Sequence, residues 1–292
     1  MSSTEEAAPR FAGIETWPTR DLAAALLETQ LAAVAAAAGT LPALSRAIDA
    51  CAERLGRGGR LIYLGAGTSG RLAVLDAAEL PPTFDWPSDR AVALMAGGPG
   101  ALLKAVEGAE DSLTAAPAAL AALGLTEADV VIGVAASGRT PFVRAGLRAA
   151  REIGALTLAI LNAPEAPLAV EAEIALVAET EAEIIAGSTR MKAGTAQKVL
   201  LNCLSTGVMI RLGYVHRGRM VEMRPTNEKL KARAVAMVAD LTDAPVEAAA
   251  AALAEGGTIK MAVVMLALGL GVAEAEARLA AAGGRLAAAL QG

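Results

Sequence analysis

The chain has 292 residues, a formal net charge of −5 and a hydrophobic content of 54%, to which alanine contributes heavily. This length allows one large domain or two modest ones, in either case with a substantial buried core. Two cysteines and one histidine exclude a disulfide framework and most metal-ligand clusters. The acidic charge and an aromatic content of 2% argue against nucleic-acid binding.

Membrane insertion and export are also unexpected. A membrane-spanning helix needs roughly 20 apolar residues without interruption by charge, and no segment is expected to qualify. The longest candidates, between Glu28 and Arg46 and between Lys260 and Glu274, are interpreted as buried helices. The opening residues, MSSTEEAAPR, are acidic where a signal peptide is basic. We therefore expect a reduced, cytoplasmic protein without a membrane partner.

The chain begins with two predicted helices, followed by a series of short apolar runs. Ala, Leu and Ile recur at helical spacing over Asp21 to Ala38 and Leu41 to Leu55, and glycines follow both segments. Five runs then have the length of strands: Arg60 to Leu64, Ala91 to Met95, Val130 to Ala135, Thr157 to Leu161 and Ile174 to Val177. Helices are predicted between them at Ala101 to Ala109, Thr114 to Leu123 and Pro141 to Ile153.

The alternation of strands and helices predicts the fold class. The strand runs are apolar throughout, which is typical of a parallel sheet covered by helices on both faces, so we predict a doubly wound α/β core. The remaining segments are predicted as helices: Ala193 to Leu212, Asn227 to Ala239, Ala244 to Glu255, Thr258 to Leu268 and Ala273 to Leu290. The predicted division is an N-terminal tail with helices (1–50), an α/β domain (51–215) and a small helical C-terminal domain (216–292).

A loop rich in glycine and hydroxyl groups, LGAGTSGRL (64–72), lies where the first predicted strand turns into a helix. In doubly wound folds, ligands bind at such places, outside the carboxyl ends of the strands. The three glycines match the dinucleotide pattern G-x-G-x-x-G, but the acid expected after the second strand is missing beyond Met95. Because Thr68 and Ser69 supply hydroxyl groups, a phosphate monoester is the better ligand.

A second loop, VAASGRT (134–140), has the same character at the end of the third predicted strand. It carries Ser137, Gly138 and Thr140 at the start of a helix, where backbone N–H groups and hydroxyls form an anion site. Either loop alone is also compatible with hydroxyl caps on glycine turns. Two such loops at two strand ends favour a ligand site.

A third loop, AGSTRMKAGTAQK (186–198), leads into the longest predicted helix of the C-terminal half. It places Ser188 and Thr189 next to the cations Arg190 and Lys192. These cations either hold a substrate or pair with surface acids, and their spacing leaves both interpretations open.

Taken together, these segments resemble the N-acetylmuramic acid 6-phosphate etherases, sugar-isomerase (SIS) domain enzymes of bacterial cell-wall recycling. The matching stretches follow the family's order over about 170 residues: GRLIYLGAGTSGRL, AAELPPT, AVEGAEDS, ASGRTPFV, GSTRMKAGTAQK and TNEKL, starting at Gly59, Ala77, Ala105, Ala136, Gly187 and Thr226. The resemblance implies a SIS-type αβα core and a homodimer whose site lies near the subunit interface.

The resemblance also implies a reaction. These enzymes remove the lactyl ether at C3 of N-acetylmuramic acid 6-phosphate, giving N-acetylglucosamine 6-phosphate and D-lactate without a metal or nucleotide cofactor. In the open-chain sugar the C1 aldehyde acidifies the C2 proton. A base removes that proton, an acid protonates the departing lactate oxygen, and water adds to the unsaturated intermediate. Two proton-transfer groups suffice, and at least one carboxyl would need a pKa raised by partial burial.

By this resemblance, Glu79 and Glu110 are the catalytic pair. Glu79 is expected at the end of the helix that starts at the first loop, where two prolines stop the helix. It is assigned as the acid that protonates departing lactate, and Glu110 as its partner at C2 or on the incoming water. If the register differs, Glu107 or Asp111 takes the place of Glu110.

The substrate contacts implied by the resemblance fall into three groups. Phosphate binders are Ser69, Ser137 and Thr140, assisted by Gly67, Thr68 and Gly138. Ser188 and Thr189 are expected at the sugar. Lys192, Asn227 and Lys229 could complete the site. Asn227 and Lys229 belong to the predicted helical C-terminal domain, and either subunit could supply them.

Three residues are given structural interpretations only. His216 lies in a loop-like segment outside the matching stretches and is interpreted as a surface residue. Cys51 and Cys203 lie on apolar helical faces and are predicted to be packed thiols.

Two other functions remain open at this point. An aldose-ketose isomerase of hexosamine 6-phosphates would use the same loops, but AAELPPT and AVEGAEDS resemble the etherases. A non-catalytic sugar-phosphate sensor resembling glucokinase regulatory protein shares the ancestry. Against the sensor stand the presence of both candidate carboxylates and the short chain.

Overall fold

The structure is a computed structural model that describes residues 6–225 and 227–291. By its internal contacts the chain separates into two units. The first comprises the chain up to Ala78 together with Ser88–Thr206, and the second comprises Glu79–Pro87 together with the chain from Gly207. The division into 1–50, 51–215 and 216–292 stays a prediction.

The first unit is built on a five-stranded parallel sheet in the order β2-β1-β3-β4-β5. Its strands are β1 (Leu61–Gly65), β2 (Ala91–Met95), β3 (Val130–Val134), β4 (Leu156–Leu161) and β5 (Ile174–Val177). Each lies within one residue of its predicted bounds. In this strand order the direction of winding reverses between β1 and β3, which is where ligands bind in doubly wound folds.

Helices cover both faces of this sheet. The helices of the chain up to residue 212 are α1 (Thr19–Ala38), α2 (Leu41–Gly56), α3 (Gly67–Phe84), α4 (Ala115–Ala122), α5 (Pro141–Ile153), α6 (Leu168–Glu171) and α7 (Lys192–Leu212). Ile62 and Leu64 of β1 lie in one core cluster with residues of α5, whereas the intervening Tyr63 donates a hydrogen bond to Asp76 of α3. Because successive strand residues point to opposite faces, α5 and α3 cover opposite sides. The predicted αβα core is confirmed.

The predicted helix at Ala101 to Ala109 is wrong. The structure has short 3-10 turns at Pro99–Leu102 and Ala109–Asp111, with irregular backbone between them. All residues from 102 to 108 are exposed, so a helix here would bury no apolar face to offset the cost of ordering it.

Two prolines were expected to stop α3 after Glu79, and that expectation is also wrong. The helix continues to Phe84 with Pro81 and Pro82 inside it. The backbone N–H of Asp85 still donates to the Pro81 carbonyl at 2.9 Å. Proline has a helical φ but lacks an N–H and crowds the carbonyl four residues before it; both effects act on the turn before Pro81 and Pro82, and the last turn still forms.

The expectation that no segment has the length and composition of a membrane span is wrong for helix α1. Thr19–Ala38 meets both criteria, and 22% of its apolar window is buried in this chain. Its buried residues recur at every fourth position, as a single narrow stripe. Core helices of other proteins and N-terminal signal segments can have the same length and composition. The finding is therefore that α1 is long and apolar enough to span a membrane, and no more.

The second unit is mainly helical, as predicted. Its elements are the hairpin of β6 (Val215–His216) and β7 (Arg219–Met220), followed by α8 (Glu228–Thr242), α9 (Val246–Gly256), α10 (Ile259–Leu268), α11 (Val272–Ala281) and α12 (Leu286–Gln291). The predicted helix from Ala273 to Leu290 is therefore two helices. Gly283 and Gly284 separate them with positive φ angles of 60° and 72°, a conformation that ends right-handed helices.

Candidate active site

The two glycine loops that follow β1 and β3 meet at the point where the sheet reverses direction. A cavity of about 380 Å³ opens between them. Its lining is contributed by both loops, by a turn after β2 and by the loop before α7: Ala66, Gly67, Thr68, Ser69, Glu110, Asp111, Ala135, Ala136, Ser137, Arg139, Thr140, Pro141 and Thr189. This is the place that the fold class predicts for a ligand.

The first loop brings the start of α3 directly against the end of β1. A Cβ atom on Gly65 would lie 2.7 Å from the Cα of Gly70, so the strand and the helix touch through their glycines. Helix α3 starts at Gly67, which places the N–H groups of Gly67, Thr68 and Ser69 at its N-terminus. These N–H groups lack partners within the helix, and the helix dipole favours an anion beside them.

The second loop turns through Gly138. This residue has a φ of 60°, and a Cβ atom there would lie 2.5 Å from the Cβ of Ala166. The Ser137 hydroxyl accepts a hydrogen bond from the Arg139 N–H at 3.3 Å. Thr140 is the N-cap of α5, yet its side chain makes no capping hydrogen bond. The turn therefore presents both hydroxyl groups to the cavity.

The sequence interpretation did not single out Arg139, which adds a cation to this lining. Its neighbours Ser137 and Thr140 were chosen for their hydroxyl groups, and the cation between them in VAASGRT is the signal that could have found it. N–H groups, hydroxyls and a guanidinium together suit a phosphate monoester.

Glu110 lies on the 3-10 turn Ala109–Asp111 and reaches the same cavity, as does Asp111. The structure therefore brings together one candidate carboxylate and most of the predicted substrate contacts: Gly67, Thr68, Ser69, Ser137, Thr140 and Thr189. Gly138 lies beneath them as the buried residue of the turn. Ser188, next to Thr189, is not among the lining residues of this cavity.

Lys192 lies elsewhere. It is 7% exposed, and its ammonium group donates to the Thr180 carbonyl. Its side chain lines a different cavity, beside Glu28 and Glu181. The reason is local, since Lys192 is the first residue of α7 and its backbone is held by a buried acid.

That acid is Glu183, which the sequence interpretation missed. It is 1% exposed, and its carboxylate accepts from the N–H groups of Lys192 and Ala193, both at 2.9 Å. A carboxylate at a helix N-terminus satisfies unpaired donors and complements the helix dipole. Glu183 thus fixes the start of α7, directly after the loop that carries Thr189.

Glu79 and two further candidates belong to the second unit. Glu79 is exposed on α3 and is not among the lining residues of the cavity. Asn227 is the N-cap of α8, where its side chain accepts from the Leu230 N–H at 2.9 Å. Lys229 is exposed. Thr226, which opens the TNEKL match, lies outside the described residues.

The remaining singled-out residues are unconnected with the cavity. Partial burial, assisted by Arg217, lowers the pKa of His216. Cys51 is buried, and burial raises the pKa of its thiol to about 12. Cys203 is exposed, so its predicted packing is wrong.

Over residues 6–225 and 227–291, no three His, Cys, Asp or Glu side chains group in a way that could hold a metal ion.

Comparison with known proteins identifies the domain type and the family of this chain. A model for the glucokinase regulatory protein N-terminal SIS domain matches residues 43–151, and the SIS domain model matches residues 113–207. A presumed phosphosugar isomerase involved in capsule formation in Bacteroides fragilis has the same fold. That likeness has a TM-score of 0.51 and 21% identity, and covers 69% of this chain and 95% of that protein.

Similarity to curated relatives is much closer. The N-acetylmuramic acid 6-phosphate etherase of Deinococcus radiodurans is 50% identical over 282 residues, covering 96% of this chain and 92% of the relative. The protein of the same name from Salmonella typhimurium is 49% identical over 284 residues, covering 97% and 96%. With this identity over nearly the whole length, the chain belongs to the N-acetylmuramic acid 6-phosphate etherase family.

Proposed function

We propose that this protein cleaves the D-lactyl ether of N-acetylmuramic acid 6-phosphate, giving N-acetylglucosamine 6-phosphate and D-lactate. The observation that carries the proposal is the position of Glu110 in one cavity with the hydroxyl groups of both glycine loops. Membership of the etherase family supports the choice of substrate. The product sugar belongs to amino-sugar recycling from the cell wall.

The first task of the site is to hold the phosphate. In our proposal it lies against the N-terminus of α3 and the hydroxyls of Ser69, Ser137 and Thr140, where Arg139 supplies a further charge. Thr68 and Thr189 line the same space and are assigned to the phosphate or the sugar. Hydrogen bonds from donors with fixed positions orient the substrate without a metal ion.

The second task is proton transfer. A base removes the C2 proton of the open-chain aldehyde, and the electron pair moves to expel the C3 oxygen, which leaves as lactate after an acid protonates it. Water then adds at C3 and a proton returns to C2. Glu110 is assigned to one of these transfers and Glu79 to the other, with Glu79 protonating the leaving lactate.

Glu79 is not among the residues that line the cavity with Glu110. We propose that a second copy supplies Glu79 to each site. Asn227 and Lys229, which belong to the same unit as Glu79, are assigned to the second copy as well. The functional form is then a homodimer.

Helix α1 supports pairing with a second copy. Leu27, Leu31 and Val34 are exposed by 69%, 72% and 45%, and Ala24 and Ala38 extend the same exposed line. The spacing 24, 27, 31, 34, 38 alternates three and four residues, the pattern of a helix-pairing seam. We assign this face to the subunit contact and place the enzyme in the cytoplasm, where its unpaired cysteines remain reduced.

A sugar-phosphate sensor is the second candidate, because the glucokinase regulatory protein model matches residues 43–151. The substitution Glu110→Gln separates the two. For an etherase it should reduce D-lactate release by about 10²- to 10⁴-fold, the usual contribution of a positioned acid or base, while sugar-phosphate binding persists. Glu173→Gln, outside the cavity, is the control. Saturable binding by a wild-type protein that releases no lactate would contradict the proposal and favour a sensor or an isomerase.

A further inference from the structure

A second, smaller cavity of about 250 Å³ adjoins the first. Ala66, Gly67 and Glu110 line both cavities, so Glu110 lies at their common boundary. The additional wall is made chiefly of apolar side chains from the end of β2 and the following loop, among them Met95, Ala101 and Val106. The larger cavity is instead dominated by hydroxyl groups.

Arg71 gives the smaller cavity a cation. It follows Gly67 by one turn of α3 and lines the cavity wall. Its Nε donates to the Leu102 carbonyl at 2.9 Å and its Nη2 to the Ala101 carbonyl at 2.9 Å. A guanidinium carries five N–H groups, so these two hydrogen bonds fix its position while other N–H groups remain to contact a ligand.

The charges of the lining residues restrict what this cavity can bind. Glu107 and Glu110 contribute two carboxyl groups, and Arg71 is the only basic side chain among the described residues of the lining. An anionic ligand group would have to bind at Arg71, since elsewhere it meets the acids. Apolar parts of the ligand would contact Val106 and the alanines.

We propose that the smaller cavity binds the lactyl group of the substrate, with the lactyl carboxylate on Arg71 and the methyl group against the apolar wall. The inference rests on the proposed function and makes it more specific. The substrate carries two anions, a phosphate at C6 and a carboxylate on the C3 substituent. The site offers Arg139 in one cavity and Arg71 in the other. The scissile C3–O bond then lies beside Glu110, at the boundary.

The test compares two substrates in two proteins. One substrate is N-acetylmuramic acid 6-phosphate and the other is the same compound with its lactyl carboxylate replaced by a neutral carboxamide. In the wild type, kcat/KM should be about 10- to 150-fold higher for the carboxylate, as expected for a charge-assisted hydrogen bond. In Arg71→Met the preference for the carboxylate should be lost, because only the acids Glu107 and Glu110 remain as charged groups in the lining. Arg71→Lys, which keeps the charge, should retain part of the preference.

A matched control uses the other cation. Arg139→Met should lower kcat/KM for both substrates by the same factor, because both carry the phosphate. If Arg71→Met lowers both values in parallel and leaves their ratio unchanged, Arg71 only holds the loop at Ala101 and Leu102, and the lactyl assignment is overturned. Failure of the wild type to cleave either compound would instead refute the proposed function.

Discussion

At the scale of single residues, Gly138 shows how one backbone position supports the cavity. Its φ of 60° and the 2.5 Å approach to Ala166 leave no room for a side chain. Gly138→Ala should therefore lower the free energy of unfolding by about 1–3 kcal/mol, and weaken sugar-phosphate binding because the Ser137 and Thr140 hydroxyls shift. Denaturant unfolding and a binding titration measure the two effects.

Gly218→Ala is the matched control for this substitution. Gly218 also has a positive φ, 74°, but a Cβ atom there would meet nothing within 4 Å. Both variants strain the backbone, but only Gly138→Ala adds a steric contact. The difference between their free energies of unfolding therefore measures the cost of that contact. Unchanged sugar-phosphate affinity in Gly138→Ala would contradict the role assigned to this turn.

The residue types of the site were partly predictable. Glycine and hydroxyl groups at a strand end have a local signature, so Ser69, Ser137 and Thr140 could be chosen from their loops. The positions of Lys192 and Glu183 depend on a contact between residues nine positions apart. In this contact the buried Glu183 carboxylate accepts from the Lys192 N–H at the start of α7. No local pattern encodes that contact, so the sequence did not reveal it, and the assignment of Lys192 to the substrate stays a prediction.

At the scale of secondary-structure elements, one ion pair ties the sheet together at the end opposite the site. The Arg60 guanidinium donates to the Asp129 carboxylate at 2.7 and 3.1 Å and to the carbonyls of Leu123 and Gly124. Burial raises the pKa of Asp129, but hydrogen bonds from Arg60 and from the Thr126 N–H outweigh it, so the pKa lies below its ordinary value. The pair links the starts of β1 and β3 to the end of α4.

Asp129→Asn should destabilise the protein by about 3 kcal/mol at neutral pH, the usual cost of breaking a buried pair. Because the folded-state pKa is lowered, the contribution of Asp129 is complete above about pH 4, its unfolded value, and is lost as the pH falls toward the folded pKa. Unfolding curves at several pH values should therefore converge for wild type and variant in acid. The exposed pair Arg219–Asp240 is the control, and Asp240→Asn should cost about 0–1 kcal/mol. Equal losses of unfolding free energy in Asp129→Asn and Asp240→Asn would contradict the stabilising role assigned to the Arg60–Asp129 pair.

The sequence predicted the strands more accurately than the helices. Each strand is a nearly continuous apolar run, and each was placed within one residue. The segment from Ala101 to Ala109 has helical composition but exposed side chains, and it is not helical. Composition alone could not reveal that Pro81 and Pro82 fit near the end of α3, since a helix stop depends on which hydrogen bonds the prolines remove.

At the scale of the whole molecule, the proposed dimer has a quantitative consequence. If each site combines Glu110 of one chain with Glu79 of another, Glu79→Gln and Glu110→Gln chains should each be inactive alone. A mixture exchanged at equal amounts should recover about a quarter of wild-type activity, because half of the dimers are mixed and each has one intact site. Lactate release before and after subunit exchange measures this.

Leu27→Glu with Leu31→Glu provides the control, since charges on the exposed face of α1 should prevent pairing and abolish the recovery. Size-exclusion chromatography with light scattering reports the oligomeric state of each sample. No recovery in a mixture shown to contain mixed dimers would contradict a shared site. The sequence pointed to a dimer only through the family resemblance, because an alanine-rich helix has the same composition in a core and at an interface.

The proposed reaction breaks the C3–O bond by elimination and hydration. We would test it first with N-acetylmuramic acid 6-phosphate and purified, chelator-treated protein, run separately in deuterium oxide and in ¹⁸O-labelled water, followed by mass analysis of both products. We expect one deuterium at C2 of the sugar and the ¹⁸O in its C3 hydroxyl, with unlabelled D-lactate. Release of ¹⁸O-labelled lactate, or a sugar product without deuterium at C2, would rule out elimination and hydration.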